Sequence, residues 1–142
     1  MKIVIDTNVI ISAAFWGGSP QKVVDMVFNK SVEVVVSNEI IEEYRDIFVE
    51  IMQKYPNKQP NFSSDNIVAI SKIISPYTHI EICRDPDDNK FIECAIDGDC
   101  LFIVSGDDDL LAIGGYDDIT ILTVKHFLEW LQKNDLSVIT AG

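Results

Sequence analysis

The sequence has few of the residues on which zinc centres, disulfide scaffolds and membrane spans depend. It contains two histidines and three cysteines, Cys83, Cys94 and Cys100, without a CxxC motif. This pattern excludes a zinc cluster and a disulfide framework, and it favours cysteines in or near a core in a reducing cytoplasm. No apolar run reaches the ~20 residues of a membrane span, and there is no signal-peptide pattern.

Basic residues are also scarce. Eleven lysines and arginines face 23 aspartates and glutamates, which gives a net charge of −12. A protein that binds nucleic acid by neutralising phosphates normally has a basic surface. The charge therefore counts against that mode of binding, but it leaves open a protein that meets phosphate through bound cations.

The remaining composition is that of a globular domain. Hydrophobic residues make up 47% of the 142 positions, and the mean hydropathy is +0.15. This length suits one hydrophobic core. We expect a single domain at residues 1–132 and a C-terminal tail at 133–142, in which Val138-Ile139 is a short apolar stretch.

Short β-branched runs alternate with segments of helical periodicity. We predict strands at residues 2–5, 32–36, 79–82, 101–104 and 120–122. We predict helices at residues 9–15, 20–28, 38–53, 64–74, 86–96, 110–113 and 124–131. Such alternation is typical of βαβ units with parallel strands. The predicted fold is an α/β class, three-layer α/β/α sandwich around a five-stranded parallel sheet of order 3-2-1-4-5.

The first strand is the centre of this sheet, and it ends at a carboxylate. Asp6, Thr7 and Asn8 follow the apolar run directly. Open α/β sheets bind their ligands at the carboxyl ends of the strands, near the point where the strand order reverses. In the predicted order that point lies between strands 1 and 4, so Asp6 is expected beside the acids that follow strand 4.

Helix geometry separates the acids of the 38–53 helix. At about 100° per residue, Glu39, Glu42 and Asp46 fall on the solvent side of the helix. Glu43 falls beside Ile47, at the edge of the buried face. A solvated glutamate at this border and a functional acid are both compatible with that position.

Two further acidic segments have structural alternatives. Asp88 lies on the inward stripe of the 86–96 helix, but with Asp85 as the cap it also occupies a position typical of a capping box. Asp107, Asp108 and Asp109 follow strand 4, where a charge run at a helix N-terminus is common. Asp6 has no such alternative, because no exposed helix face explains an acid that ends a central strand.

Acids that converge on one strand end repel one another. At ~6 Å and an effective dielectric of ~20, each ionised pair costs roughly 3 kcal/mol. Raised pKa values or a bound cation would relieve this repulsion. Oxygen ligands without histidine or cysteine favour Mg²⁺ or Mn²⁺, and such a site suits phosphodiester hydrolysis with water as the nucleophile.

From Ile3 to about Trp130 the chain resembles the PIN-domain family of metal-dependent ribonucleases, most of all its prokaryotic toxins of toxin–antitoxin pairs. The resemblance rests on four pieces of sequence. They are residues 5–8 (IDTN), Ser37 followed by Glu43, residues 85–91 (DPDDNKF) and residues 104–111 (VSGDDDLL). The pattern is specific as a whole, although no single piece is.

The resemblance implies a function and a set of site residues. It makes Asp6, Glu43, Asp88 and Asp107 the catalytic and metal-binding acids, with Asp109 as an auxiliary metal ligand and Asn8 and Ser105 as supporting hydrogen-bonding residues. It implies Mg²⁺ or Mn²⁺, an RNA substrate, a homodimer in the cytoplasm and a possible cognate antitoxin. The candidate RNA-contacting cations are Lys22, Arg84, Lys90 and Lys125.

Other functions are less compatible with the sequence. A haloacid-dehalogenase-like phosphatase needs a second aspartate where this chain has Asn8. A receiver-type domain needs a phosphorylatable aspartate after strand 3 and an acid pair after strand 1, and the chain has neither. A catalytically silent PIN fold that acts as a binding or scaffold module is the remaining alternative.

Overall fold

A six-stranded sheet runs through residues 1–134, the part of the chain that the computed structural model describes. Its strands are β1 (Lys2–Ile5), β2 (Glu33–Val36), β3 (Lys72–Ile73), β4 (Phe102–Val104), β5 (Gly115–Tyr116) and β6 (Ile119–Leu122). The helices are α1 (Thr7–Phe15), α2 (Gly18–Phe28), α3 (Asn38–Lys54), α4 (Ser64–Ile70), α5 (Asn89–Asp97), α6 (Asp108–Ile113) and α7 (Val124–Lys133). A single 3-10 turn, Pro86–Asp88, precedes α5.

The strand order is β3-β2-β1-β4-β6-β5. The first five of these strands are parallel, and β5 is antiparallel to β6. The predicted α/β/α sandwich and its parallel order are therefore confirmed, with β6 as the fifth predicted strand. Strand β5 is absent from the predicted set, because two residues between a glycine and a turn show no periodicity.

The two central strands place the acids at one edge of the sheet. Ile3, Val4 and Ile5 of β1 are completely buried, and Ile5 pairs with Val104 of β4. The backbone N–H of Asp6 donates to the Val104 carbonyl at 2.9 Å, which extends the pairing by one residue. Asp6 and the residues after Val104 are thereby neighbours at the carboxyl edge, as predicted.

The predicted third strand at residues 79–82 is wrong. The strand at that sheet edge is β3, which pairs in parallel with Val35 and Val36 of β2. It begins just after α4, which ends at Ile70 and not at the predicted Ile74, because the backbone of Ser71 is already extended.

The segment Tyr77–Cys83, which we call the strap, bonds to α5 and not to the sheet. Three α5 side chains spaced four residues apart, and so on one helix face, accept its backbone N–H groups. Asp97 accepts from Tyr77 and Thr78, Glu93 from Ile80, and Asn89 from Ile82 and Cys83. Since these donors are already satisfied by a helix, the strap does not form the strand that its apolar alternation suggested.

Two helix starts also differ from the prediction. Helix α2 begins at Gly18 and not at the predicted residue 20, and its N-cap is Gly17 with φ of 74°. The predicted 86–96 helix begins with the 3-10 turn. In that turn Asp85 caps by accepting the N–H of Asp87, as the sequence suggested for a cap at this residue.

Cys94 and Cys100 are buried and Cys83 is half-buried, all three as free thiols, which confirms their predicted place in or near the core.

Helix α7 continues to Lys133, so the predicted end of the domain at 132 falls inside a helix. The stretch Val138-Ile139 lies outside the described residues. Within residues 1–134, no helix has the length and apolar character needed to cross a bilayer.

The bonds between α5 and the strap predict a pH-dependent contribution to stability. Asp97→Ala removes the acceptor of Tyr77 N–H, Thr78 N–H and the Thr78 hydroxyl, and we expect a loss of about 1–2 kcal/mol at pH 7. Burial raises the pKa of Asp97, but hydrogen bonds from Thr78 and Tyr77 lower it, and the net shift from 3.8 is downward. The stabilisation is therefore present above pH 3.8 and lost as pH falls through the lowered folded-state pKa.

Thermal melts at several pH values and amide exchange at Tyr77 and Thr78 measure this effect. Asp97→Asn keeps an acceptor oxygen and should lose less than Asp97→Ala. Asp46→Ala, at an exposed position of α3, is the control. An equal loss in the control, or a loss in Asp97→Ala that persists at pH 2, would contradict the assignment.

Candidate active site

Asp6 lies where β1 ends and α1 begins. Its carbonyl accepts the N–H groups of Val9 and Ile10 at 3.0 and 3.3 Å, which starts the helix. Its carboxylate accepts the Ser105 hydroxyl at 2.7 Å. The residue is 5% exposed, so a carboxylate is held almost out of water at the centre of the carboxyl edge.

This environment makes the charged form of Asp6 costly. Burial is the largest cause and raises its pKa, the hydrogen bond from Ser105 lowers it, and the charges of Asp107 and Glu43 raise it further. The net shift is upward. The two acids that act on Asp6 come from other segments of the chain, α3 and the loop after β4.

Asp88 completes the group. Burial raises its pKa most, followed by a hydrogen bond with the Asp107 carboxyl and by the charges of Asp107, Asp85 and Asp6, and the result is a pKa of about 7. Its side chain makes no capping bond to α5. Asp88 lies in the first turn of the segment that Asp85 caps, as the structural alternative requires, and its carboxyl also faces Asp107.

Asp107 has a local structural role as well. It caps α6, since its Oδ1 accepts the N–H of Asp109 at 3.0 Å, and its own N–H donates to Ser105 Oγ at 3.0 Å. Ser105 is fully buried and thus bonds to both Asp6 and Asp107. Ser105 thus contacts two of the predicted site acids, and its supporting role stays a prediction.

Glu43 approaches from α3. The predicted helix phase is confirmed, because the Glu43 side chain is 25% exposed and Glu39, Glu42 and Asp46 are exposed. The next residue, Tyr44, is fully buried and its hydroxyl donates to the carbonyl of Ile5. This bond fixes α3 against β1 directly before Asp6.

Both oxygens of the Glu43 carboxylate have partners that the sequence analysis did not identify. The Thr7 hydroxyl donates to Oε2, and Lys90 Nζ lies 2.7 Å from Oε1. Lys90 also lies 3.4 Å from Asp87, and its side chain is 8% exposed. Burial lowers the pKa of Lys90, but the bonds and charges of Glu43 and Asp87 more than offset this, so the lysine stays charged.

Lys90 is therefore misplaced among the candidate RNA-contacting cations, because it is buried and paired. The sequence offered one signal of this burial, because the lysine directly precedes residues of the inward helix face. The structure buries the whole run from Asn89 to Ile92. The other candidates are exposed: Lys22 on α2, Lys125 on α7, and Arg84, which lies 3.7 Å from Asp109.

Two predicted residues lie at the border of the site. The side chain of Asn8 is exposed on the first turn of α1, and its backbone N–H is the smallest of the causes that act on the Asp6 pKa, which it lowers. Asp109 is 38% exposed and faces Arg84. Their supporting and metal-binding roles stay predictions.

Cys83 is a thiol close enough to these acids for their charges to act on it. Burial is the main cause that raises its pKa, and the charges of Asp88, Asp107, Asp85 and Asp109 add to it, which gives a pKa of about 11. The thiolate is the reactive form, so Cys83 is protonated and unreactive at neutral pH. This leaves the acids as the chemically distinctive feature of the site.

The donor set fits a hard divalent cation such as Mg²⁺ or Mn²⁺, because it consists of carboxylate oxygens that repel one another. Asp6, Asp88 and Asp107 are the residues that could hold the ion, with Glu43 beside them. As they stand, no three histidine, cysteine, aspartate or glutamate side chains within residues 1–134 are close enough together to bind a metal. Binding would therefore draw the acids inward and replace the proton that Asp88 holds near neutral pH.

The raised pKa of Asp88 predicts how the metal-free protein responds to pH. The unfolded chain has an ordinary aspartate pKa of 3.8 and the folded chain one of about 7, so the folded state binds the proton more tightly. Stability contributed by this proton is lost as pH rises from about 4 to about 7. In chelator, Asp88→Asn should melt higher than wild type at pH 8, and its melting temperature should fall less between pH 5 and 8.

Asp108→Asn is the matched control, since it removes the same charge at an exposed neighbouring position. Added Mg²⁺ or Mn²⁺ should raise the melting temperature of wild type more than that of Asp88→Asn. If the melting temperatures of wild type, Asp88→Asn and Asp108→Asn changed with pH in the same way, the prediction would be wrong and the pKa of Asp88 would be ordinary.

Comparison with known proteins identifies the family of this chain. The chain is 30% identical over 150 aligned positions to the uncharacterized protein MJ1680 of Methanocaldococcus jannaschii, and the alignment covers 94% of this chain and 93% of the relative. The sequence profile of the PIN domain matches residues 2–109, a range that contains Asp6, Glu43, Asp88 and Asp107. Since this match covers most of the chain and all four acids, the protein belongs to the PIN domain family.

Proposed function

We propose that this protein is an Mg²⁺- or Mn²⁺-dependent endoribonuclease that hydrolyses RNA phosphodiesters. PIN domains are generally metal-dependent nucleases, which makes a nuclease the family's function. The observation that carries the proposal is the buried Asp6 carboxylate with Asp88 and Asp107 beside it, where burial and neighbouring charges raise the pKa values of Asp6 and Asp88. Side chains kept in such a state are common at functional sites.

The proposed roles follow from the contacts of each side chain. Ser105 donates to the Asp6 carboxylate and accepts the N–H of Asp107. The positions of these two acids are therefore fixed relative to each other. Each Glu43 oxygen has one partner and a further lone pair, so Glu43 can accept a hydrogen bond from water on the α3 side. A divalent ion, when bound, supplies the positive charge that meets the phosphate and activates the water.

We further propose that the protein is the toxin of a toxin–antitoxin pair, acts as a cytoplasmic homodimer and has a cognate antitoxin. The support is the sequence resemblance described above. A net charge of −12 is compatible with a basic partner. An adjacent reading frame that encodes a short basic or DNA-binding protein, and its co-purification with this chain, would test the pairing.

The nuclease proposal is tested with a labelled single-stranded RNA in Mg²⁺, in Mn²⁺ and in chelator. We expect cleavage with either metal and none in chelator, without a covalent phospho-enzyme, because the described site contains no activated protein nucleophile. Full activity in chelator or a trapped covalent intermediate would refute the mechanism. Absence of cleavage with retained RNA binding would favour the silent binding module.

Glu43 and Glu42 provide an internal comparison. Glu43→Gln should nearly abolish cleavage, because it removes a carboxylate that faces Asp6 and Lys90. Glu42→Gln changes the same charge on the exposed side of α3 and should leave the rate within about three-fold of wild type, as is usual away from reacting groups. Steady-state kinetics on both variants measure this. The reverse ranking of the two rates would show that Glu43 is not an active-site residue.

A further inference from the structure

Two cavities flank the acids, one on each side. The first, of about 440 Å³, lies on the α5 side and includes Lys90 in its wall. The second, of about 510 Å³, lies on the side of α1 and α7 and includes Ser105. We call them the acidic cavity and the hydroxyl cavity, because their side chains differ as described next.

The acidic cavity is unsuited to a polyanion. Four carboxylates lie among the described residues of its wall: Glu39, Glu81, Asp87 and Glu93. Its one lysine and its one histidine are already paired, Lys90 with Glu43 and Asp87, and His79 with Glu81 and Glu93. An RNA strand entering here would face uncompensated negative charge.

The hydroxyl cavity has the opposite character. None of its described wall residues carries a carboxylate, which is notable in a chain of net charge −12. Its polar side chains are hydroxyls, an amide and one ammonium: Asn8, Ser12, Ser19, Ser105, Thr123 and Lys125. The Ser105 hydroxyl is already donated to Asp6, but the other groups can donate hydrogen bonds to phosphate and sugar oxygens, the usual protein contacts along a nucleic-acid backbone.

Backbone donors add to this set. Thr123 caps α7 by accepting the N–H of His126, and the first residues of the helix, Val124 and Lys125, line the cavity. Their N–H groups have no acceptor within the helix, as at every helix start. The positive end of the α7 dipole and the Lys125 ammonium therefore both attract an anion in the cavity.

The hydroxyl cavity is continuous with the site. Ser105 lines the cavity and donates to the Asp6 carboxylate at 2.7 Å. Gly106 also lines the cavity and directly precedes Asp107. The space beside its Cα is open, since a Cβ atom at this position would meet no other atom within 4 Å. An RNA strand lying in this cavity would thus reach Asp6 and Asp107 without passing carboxylate side chains of the cavity lining.

We infer that the hydroxyl cavity binds the sugar-phosphate of the nucleotide next to the cleaved phosphodiester, so that the RNA approaches the acids from the α1 and α7 side. This rests on the proposed nuclease function. The volume of about 510 Å³ is within the range of sites that bind small molecules and accommodates a nucleotide unit. The cavity gives an acidic protein a local surface that accepts RNA.

The test compares two lysines of α7. Lys125→Glu changes a residue of the cavity, whereas Lys133→Glu makes the same charge change at the exposed far end of the helix. With a labelled single-stranded RNA in Mg²⁺, we expect Lys125→Glu to raise KM by about five-fold or more with kcat nearly unchanged, as for loss of a phosphate contact. Lys133→Glu should stay within about two-fold of wild type.

Two further variants make the result independent of Lys125. Ser19→Glu puts a carboxylate into the hydroxyl cavity at an exposed position of the first turn of α2, where an acid suits the helix, and it should also raise KM. Glu81→Lys reduces the charge of the acidic cavity and should leave KM nearly unchanged. Fluorescence anisotropy with the same RNA in chelator at low salt gives the affinity without cleavage, and should show the same ranking.

The outcomes separate this inference from the nuclease proposal. Cleavage by wild type with equal KM values for Lys125→Glu and Lys133→Glu, or a large decrease of KM in Glu81→Lys alone, would overturn the cavity assignment and leave the nuclease. Absence of cleavage with RNA binding that Lys125→Glu weakens would support the cavity and refute the nuclease. Absence of both cleavage and binding by wild type would overturn both.

Discussion

The burial of one carboxylate at the junction of the two central strands is the constraint on which the site depends. Asp6 is bonded through its N–H to Val104 and through its carboxylate to Ser105, so the ends of β1 and β4 are joined at the residue that carries the charge. A buried carboxylate needs such partners, because desolvation otherwise neutralises it. The same bonds bring Asp107 to Asp6 across about a hundred residues of sequence.

The α3 side of the site is built by a second set of contacts, in which packing and charge act together. Tyr44 anchors the helix to the Ile5 carbonyl from a fully buried position, and Thr7 and Lys90 then hold the neighbouring Glu43. Removing one member of a buried pair costs far more than the pair contributes. Lys90 thus makes a charged Glu43 tolerable beside Asp6 and links α5, which follows Asp88, to α3.

The sequence predicted the parts of this structure that follow from local periodicity. The parallel strand order and the inward phase of Glu43 were available in this way. The strap and the partners of Glu43 were not, because an alternating stretch such as residues 79–82 reads alike whether its N–H groups meet a strand or a helix face. The Lys90–Glu43 pair spans 47 residues, and a single sequence gives no register between α3 and α5.

The strap also bears on the size of the sheet. Its N–H groups bond to Asn89, Glu93 and Asp97, so this apolar, strand-like segment does not lengthen the sheet, and the outer strands β3 and β5 have two residues each. Long unpaired outer strands are templates on which other chains add and aggregate. Because both outer strands are short, the described sheet exposes few unpaired N–H and C=O groups to a second polypeptide, which limits intermolecular β-pairing.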